Sequence, residues 1–364
     1  MALEDLFRPL TVRSLTTPNR FAMAPMTRQA SPGGVPGPDV AEYYRRRAAG
    51  GVGLIITEGI RLPDPAAGYP SSIPTLAGAE VLTGWRRVID AVHGGGGTIA
   101  AQLWHQGAER DDADGVVPVS PSGLDGLGRP KGRALGHDEL PHVADEYARA
   151  AATARDLGFD AIELHGAHGY LLDEFLWERT NLRDDGYGGS LAERTRFPAE
   201  VVAAVRAAVG PDYPIAFRFS QWKGLDYTAS IADDPTQLQD LLTPLVAAGV
   251  DVLHPSTRRH YVPAFPDHDP ELSLAGWTRK VTGLPVITVG SVGLETQFRS
   301  EKRGEVIRPA SVDRLVEQFE AGEFDIVAIG RALLADPGWV NRLRDGQLDG
   351  FGGYDPATAL AGLA

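Results

Sequence analysis

Short apolar runs alternate along the chain with longer segments of helical periodicity. This alternation is typical of parallel β-sheets, in which each strand is followed by a helix that covers one face of the sheet. The pattern predicts eight strands: Phe21–Ala24, Gly53–Glu58, Thr98–Trp104, Ala161–His165, Ile215–Ser220, Val252–His254, Val286–Val289 and Ile326–Ile329. It also predicts helices over Asp39–Ala49, Val81–Val92, Asp138–Leu157, Arg194–Val209, Thr236–Ala248, Ser311–Ala321 and Leu333–Arg344.

Eight strand units favour a single (β/α)8 TIM barrel that takes in residues 1–364 as one domain. A doubly wound dinucleotide-binding sheet shares the alternation, but no predicted strand is followed by the spaced glycines of that fold. Several helices end in glycine, as at Leu157-Gly158, where a left-handed C-cap is needed. We expect the segment before Phe21 to cover the barrel floor. Long loops are expected after strands 3 and 6, at Trp104–Asp138 and Pro255–Leu272.

Composition narrows the class of function. The chain has 48 acidic and 35 basic residues, and we see no basic run that suits nucleic acid or anionic lipid. It has no cysteine, which excludes disulfides, thiolate metal ligands and cysteine nucleophiles. Residues Met1–Asp5 are acidic where a secretory signal is basic, and no apolar run is long enough to cross a bilayer. We expect a cytoplasmic protein without nucleic-acid or membrane partners. The sequence leaves open whether the chain forms a homo-oligomer.

Reactive residues of a TIM barrel lie at the C-terminal ends of its strands. At the end of the fourth strand the sequence places His165, His168 and Tyr170 within six residues. Two imidazoles can hydrogen-bond an oxygen that gains negative charge, and a tyrosine can deliver a proton to carbon in the same step. The alternative is that both histidines satisfy backbone groups of the loop. A metal site lacks a convincing third ligand, and we predict none.

Two polar residues in apolar strands point to a bound ligand. Arg218 lies within the fifth strand, where a buried guanidinium needs a permanent anionic neighbour. Gln102 lies near the end of the third strand, and its amide donates and accepts in one plane, as the edge of a heteroaromatic ring requires. An ion pair between Arg218 and a carboxylate inside the barrel, and a Gln102 that caps a loop, are the alternatives.

Glycine-containing turns follow the last two strands, at Gly290-Ser291 and at Gly330-Arg331, the latter just before a predicted helix. Glycine permits close approach of the backbone, and a helix N-terminus supplies unpaired N–H groups. Arg331 can hold a phosphate through two hydrogen bonds. A tight turn without a ligand is the alternative, but the arginine favours phosphate.

Taken in order, these residues resemble the old yellow enzyme family over nearly the whole chain. The most specific match is the His165–Tyr170 cluster together with the loop Asn181–Ser190. The other matching pieces are Ala24-Pro25-Met26-Thr27, Glu58-Gly59, Gln102-Leu103-Trp104-His105, Arg218 and Gly330-Arg331.

The resemblance implies that FMN lies across the barrel mouth, with Gln102 at its pyrimidine edge and Arg218 facing N1 and O2. It places the phosphate at Gly290, Ser291, Gly330 and Arg331, and the remaining ring edge at Ala24, Pro25, Met26, Thr27 and Gly59. NADPH or NADH would reduce the flavin and leave, and an activated alkene would then take the same space. His165 and His168 would hold the substrate oxygen, flavin N5 would give hydride to the β-carbon, and Tyr170 would protonate the α-carbon.

Two other functions remain as rivals. One is a different flavin barrel oxidoreductase, such as a hydroxy-acid oxidase or a dienoyl reductase, although the lack of cysteine excludes the iron–sulfur cluster of the latter. The other is a barrel that binds a phosphorylated ligand without redox chemistry. The sequence does not identify the physiological alkene, the preference between NADPH and NADH, or the role of the Pro255–Leu272 loop.

Overall fold

The computed structural model describes residues 2–297 and 305–363. Within these ranges eight parallel strands form the barrel: β1 (Phe21–Met23), β2 (Leu54–Ile56), β3 (Thr98–Trp104), β4 (Ala161–His168), β5 (Ile215–Lys223), β6 (Val252–Pro255), β7 (Ile287–Val289) and β8 (Ile326–Ile329). They are hydrogen-bonded in the order β6-β5-β4-β3-β2-β1-β8-β7. Parallel bridges from Leu253 to Val286 and from Ser256 to Val289 join β6 to β7. The predicted TIM barrel is confirmed, and the assignment of the whole chain to one domain stays a prediction.

Helices cover the outside of the barrel and connect consecutive strands. Those between strands are α1 (Pro38–Ala49), α2 (Ala79–Gly94), α3 (Leu140–Leu157), α4 (Leu191–Val209), α5 (Pro235–Ala248), α6 (Leu274–Thr282) and α7 (Asp313–Glu320). After β8 come α8 (Arg331–Ala335) and α9 (Trp339–Arg344). Shorter helices span Ala2–Asp5, Leu171–Leu176 and Pro356–Ala359.

The structure corrects the sequence prediction in three respects. The helix predicted over Leu333–Arg344 is two helices, because Pro337 between them has no N–H to continue the ladder. The helix α6 was missed, because its nine residues are fewer than the window of about 11 residues over which a helical period is read. The strands β4 and β5 extend beyond the predicted ends at His165 and Ser220, and His168 pairs with Lys223 after a register shift.

The barrel interior changes from apolar to polar along the strands. The apolar floor includes Leu54, Ala100, Ala161, Ala216, Val252 and Ile326. Because successive side chains of a strand alternate between faces, positions two and four residues further along face the same interior. Those positions carry Gln102, Glu163, His165, Arg218 and His254. The floor is covered by an antiparallel hairpin of Leu10–Val12 and Leu15–Thr17, whose apolar side chains pack against it.

The two long loops add structure at the barrel mouth. The loop after β3 contains a 3-10 turn at Gly107–Glu109 and a parallel pair of two-residue strands, Val119–Ser120 and Arg133–Ala134. The loop after β6 folds onto the turn after β7, where the backbone N–H of His260 donates to the Gly290 carbonyl. In the part of the chain described here, no helix combines the length and apolarity that a bilayer span requires.

Candidate active site

The three predicted catalytic side chains lie together at the mouth of the barrel. The ring centroids of His165 and His168 are 5.1 Å apart, and those of His165 and Tyr170 are 4.9 Å apart. Trp104, at the end of β3, lies 6.1 Å from the His165 ring and 4.8 Å from the Tyr170 ring. One phenol and two imidazoles therefore share a single aromatic cluster.

A strained turn places Tyr170 in this cluster. His168 has a φ of 68° and Gly169 a φ of 91°, in the left-handed region that residues with a Cβ rarely adopt. The turn is held from the neighbouring strand β5, because the His168 N–H donates to Ser220 Oγ at 2.9 Å and the Gly224 N–H donates to the His168 carbonyl at 2.8 Å. Tyr170 then begins the helix Leu171–Leu176 as its N-cap residue.

A buried ion pair supports the same turn from below. Asp173 and Lys223 are both fully buried, with 2.6 Å between Oδ1 and Nζ. The other oxygen of Asp173, Oδ2, accepts the Gly169 N–H at 2.6 Å. The turn that carries His168 and Tyr170 is thus tied to β5 by charge as well as by backbone hydrogen bonds.

Both imidazoles are neutral over the ordinary pH range. Burial lowers the pKa of His165 well below its usual value, and the positive charge of Arg218 acts in the same direction. Burial also lowers the pKa of His168 well below its usual value, again with help from Arg218. A neutral imidazole keeps one N–H for donation, which suits the binding of a substrate oxygen. In the described ranges, no combination of His, Asp and Glu side chains is arranged to hold a metal.

Sequence reasoning missed Ser256 and Trp222, which complete one side of the cluster. Ser256 Oγ lies 2.8 Å from His168 Nε2 and accepts from Arg218 Nη2 at 3.1 Å. The Trp222 ring stacks on His168 with 4.3 Å between centroids. Ser256 follows the inward-facing His254 by two residues, so alternation was a usable signal. Trp222 lies within the register shift of β5, where alternation fails.

Four polar side chains form a layer beside and beneath His165. Gln102 Nε2 donates to Glu163 Oε1 at 2.8 Å, and His254 Nδ1 lies 2.6 Å from Glu163 Oε2. Arg218 is in register with His165 on one side and with His254 on the other. Gln102 is therefore not a loop cap, since its amide bonds a carboxylate inside the barrel.

Arg218 is buried without a close carboxylate partner among the described residues. Its Nη2 donates to Ser256 Oγ, and its Nε is buried with no acceptor in the described part of the chain. Burial lowers its pKa, while the charges of Glu163 and Tyr170 raise it. The ion pair considered as an alternative is therefore not formed as a direct contact, and the guanidinium retains the capacity to bind an anionic ligand.

The residues predicted to bind phosphate meet at the ends of β7 and β8. Arg331 Nη2 lies 3.4 Å from Ser291 Oγ and donates to the Thr296 carbonyl at 2.5 Å. Gly290 has a φ of 138°, and a Cβ there would lie 2.7 Å from the Thr257 carbonyl, so the turn requires glycine. Gly330 directly precedes α8 as its N-cap residue.

The segment after β1 lies close to the turn at Gly330. Gly59, after β2, lies against the aromatic cluster. A Cβ on Gly330 would lie 3.5 Å from Met26 Sδ and 4.0 Å from Ala24 Cβ. A Cβ on Gly59 would lie 2.4 Å from the Trp104 ring. Pro25 is half-buried and Thr27 is exposed in the same segment, and their contacts with a flavin stay predictions.

Comparison with known proteins decides the family. A family model described as NADH:flavin oxidoreductase / NADH oxidase matches residues 5–349. The chain belongs to this family, that of the old yellow enzymes. As a family member it is an FMN-dependent oxidoreductase.

Individual family members match nearly the whole chain. The 12-oxophytodienoate reductase 7 of Oryza sativa subsp. japonica is 33% identical over 358 residues, which cover 93% of this chain and 87% of that reductase. The NADH oxidase of Thermoanaerobacter brockii is 34% identical over 94% of this chain but only 51% of its own length. The solved structure of morphinone reductase in complex with tetrahydroNAD has a TM-score of 0.80 at 32% identity, covering 97% of this chain and 93% of that one. An old yellow enzyme homologue from Zymomonas mobilis has a TM-score of 0.78 at 27% identity, covering 98% and 99%.

The residues at the mouth of this old yellow enzyme fit FMN. Arg218 offers a buried cation whose Nε has no acceptor among the described residues, as the electron-rich edge of a reduced flavin requires. The turns at Gly290 and Gly330 bring backbone N–H groups, a helix start and Arg331 to one place, as a phosphate requires. Arg218 lies on β5, and the phosphate-binding turns follow β7 and β8. The aromatic cluster lies on β3, on β4 and in the turn after β4, at the same barrel mouth.

Proposed function

We propose that this old yellow enzyme is an NAD(P)H-dependent ene-reductase for activated C=C bonds of α,β-unsaturated carbonyl or nitro compounds. The observation that carries the proposal is the convergence of two neutral imidazoles and a phenol beside the buried Arg218. When bound and reduced by NADPH or NADH, FMN supplies a hydride to the β-carbon of the alkene. The chain's own residues bind and polarise the alkene and provide the proton.

His165 and His168 donate hydrogen bonds to the substrate's carbonyl or nitro oxygen. That oxygen gains negative charge as the β-carbon receives hydride, so donors aimed at it stabilise the transition state more than the ground state. The imidazoles act as hydrogen-bond donors rather than acids, since burial keeps both neutral. Trp222, stacked on His168, and Trp104, next to His165, keep the two rings in place.

Tyr170 gives its phenolic proton to the α-carbon. Its ring contacts both His165 and Trp104, which places the hydroxyl at the same mouth as the oxygen-binding imidazoles. Hydride from the cofactor and the proton from Tyr170 together reduce the double bond, and solvent returns a proton to the phenolate.

The remaining polar residues are proposed to hold the cofactor. Gln102 and Arg218 bind the pyrimidine edge of the ring, and Ala24, Pro25, Met26, Thr27 and Gly59 line its other edge. The phosphate is bound by Gly290, Ser291, Gly330 and Arg331. A cytoplasmic location, the absence of nucleic-acid and membrane partners, and a homo-oligomer stay predictions.

The purified protein provides the test. We expect a yellow solution that is bleached anaerobically by NADPH or NADH and regains its colour when an enone or a nitroalkene is added. A protein that is colourless and takes up no FMN would favour a barrel for phosphorylated ligands. A protein that is bleached by nicotinamide but recoloured only by oxygen, and by no alkene of the panel, would be a different flavin oxidoreductase.

A further inference from the structure

The carboxylate of Glu163 lies at the centre of the polar layer and is not part of the proposed reaction. Glu163 is fully buried, and beneath it the barrel interior is lined by the methyl groups of Ala100, Ala161 and Ala216. Each carboxylate oxygen has one side-chain partner, Gln102 on β3 for Oε1 and His254 on β6 for Oε2. Glu163, on β4, therefore connects β3 to β6, the two strands that flank the pair β4 and β5.

Glu163 is held in its ionised form. Burial opposes the charge, but the hydrogen bonds from His254 and Gln102 and the positive charge of Arg218 lower the pKa of Glu163 below its usual value. Burial lowers the pKa of His254, so this imidazole is neutral and donates its Nδ1 hydrogen to the carboxylate. His254 Nε2 has no partner among the described residues, which fits an uncharged ring nitrogen better than an N–H.

An ionised carboxylate accepts hydrogen bonds and donates none. The Gln102 amide must therefore turn its nitrogen toward Glu163, and its carbonyl oxygen is left to face another group. Without the charge on Glu163, both orientations of the amide would be satisfied, because a neutral partner can donate as well as accept.

We propose that Glu163 and His254 are positioning residues that fix the Gln102 amide with its carbonyl oxygen available to the flavin. This inference rests on the proposed function, in which Gln102 meets the pyrimidine edge. That edge carries the N3–H donor, for which a carbonyl oxygen is the right partner and an amide N–H is the wrong one. The pair acts through Gln102 and does not touch the reacting atoms.

The variant Glu163→Gln tests the pair, because it keeps the shape and removes the charge. We expect FMN to bind the variant about tenfold more weakly, which is the loss expected when a hydrogen bond of about 1.4 kcal/mol is no longer pre-oriented. We also expect the N3–H of the bound oxidised flavin to ionise at lower pH than in the wild type. An amide free to turn stabilises deprotonated N3, and the nearby negative charge is gone. The readouts are the quenching of FMN fluorescence by apoprotein and the alkaline titration of the flavin absorbance.

Two substitutions of His254 provide the matched comparison. Asn at this position retains an N–H donor for Glu163 Oε2, so His254→Asn is expected to behave like the wild type. Leu at this position removes the donor, so His254→Leu is expected to follow Glu163→Gln in both readouts. Ile326→Val, on the apolar floor and outside the network, serves as the control for a general loosening of the barrel and should leave the N3–H titration unchanged.

The outcomes separate the inference from the proposed function. If wild-type apoprotein does not bind FMN, the proposed function fails. If the wild type binds FMN but Glu163→Gln has the same affinity and the same N3–H titration, the positioning role is overturned and the function stands. Equal shifts in Glu163→Gln and Ile326→Val would also overturn it. Should Glu163→Gln not fold, identical behaviour of His254→Asn and His254→Leu would decide against the proposal.

Discussion

Burial sets the charge of the individual side chains in this site. His165 and His168 lose the protonated form because burial and the nearby Arg218 disfavour a second positive charge. Glu163 lies in the same interior but keeps its charge, because the positive charge of Arg218 and the hydrogen bonds from His254 and Gln102 outweigh the cost of burial. Burial disfavours the charged form of all three side chains, and the positive charge of Arg218 decides that the imidazoles are neutral while the carboxylate stays ionised.

Neutral imidazoles make the reaction with the alkene insensitive to pH in the range where histidine usually titrates. An unperturbed imidazole has a pKa of about 6.5. We expect the rate at which an enone recolours the reduced enzyme to stay flat between about pH 6 and pH 8, because neither His165 nor His168 gains a proton there. Stopped-flow measurement at a series of pH values checks this. A rate that changes with an apparent pKa near 6.5 would show that one imidazole acts in its charged form.

Glu58 is a buried carboxyl whose pKa is shifted in the opposite direction to that of Glu163. Burial raises its pKa to about 7, although the N–H groups of Arg28 and Gln29, which donate to its Oε2, act to lower it. The folded protein therefore holds this proton at pH values where the unfolded chain has lost it. The contribution of Glu58 to the free energy of unfolding is fully present below the unfolded pKa of about 4.5. It is lost as the pH rises to about 7, which lowers the stability by on the order of 3 kcal/mol.

The variant Glu58→Gln isolates this effect, since a glutamine cannot ionise and its amide oxygen still accepts from the Arg28 N–H. Urea unfolding at pH 5 and at pH 8 should show a smaller loss of stability across this interval in the variant than in the wild type. Identical losses in both proteins would mean that Glu58 ionises as readily in the folded state as in the unfolded chain.

At the scale of elements, the extension of β4 and β5 beyond the predicted ends builds the site. His168 and Lys223 pair after a register shift, and this pairing is set by contacts between strands that are distant in the sequence. Local patterns therefore could not give the true ends of the two strands. The same limit hid Trp222. By contrast, N-cap Ser273 and left-handed Gly283 marked the two ends of α6 in the sequence, and only the shortness of this nine-residue helix kept it from being recognised.

The buried pair of Asp173 and Lys223 should govern the stability of these elements. Removing one partner leaves a buried charge without compensation, which costs about 3–5 kcal/mol. We expect Lys223→Met to destabilise the protein by this amount in chemical denaturation, and also to lower alkene reduction because Asp173 holds the turn before Tyr170. The exposed pair of Asp5 and Arg8 supplies the control, since Asp5→Asn should cause no measurable change. Similar effects of the two substitutions would contradict a structural role for the buried pair.

At the scale of the whole molecule, the barrel is a scaffold that is apolar at one end and reactive at the other. The strand and helix alternation predicted this architecture, and the positions of polar residues at strand ends predicted the cluster of His165, His168 and Tyr170. The sequence did not reveal that Ser256 joins Arg218 to His168, or that Glu163 joins Gln102 to His254. Such links depend on which strands become neighbours across the interior, and this is known only once the barrel has closed.

The most direct test of the account compares the two halves of the catalytic cycle in Tyr170→Phe, loaded with FMN and followed by anaerobic stopped-flow absorbance. Phenylalanine keeps the ring contacts with Trp104 and His165 and removes only the proton donor. The account predicts that reduction by NADPH or NADH proceeds at nearly the wild-type rate, whereas reoxidation by an enone slows by about 10²–10⁴-fold. An equal loss in both half-reactions, or an unchanged rate of reoxidation, would contradict it.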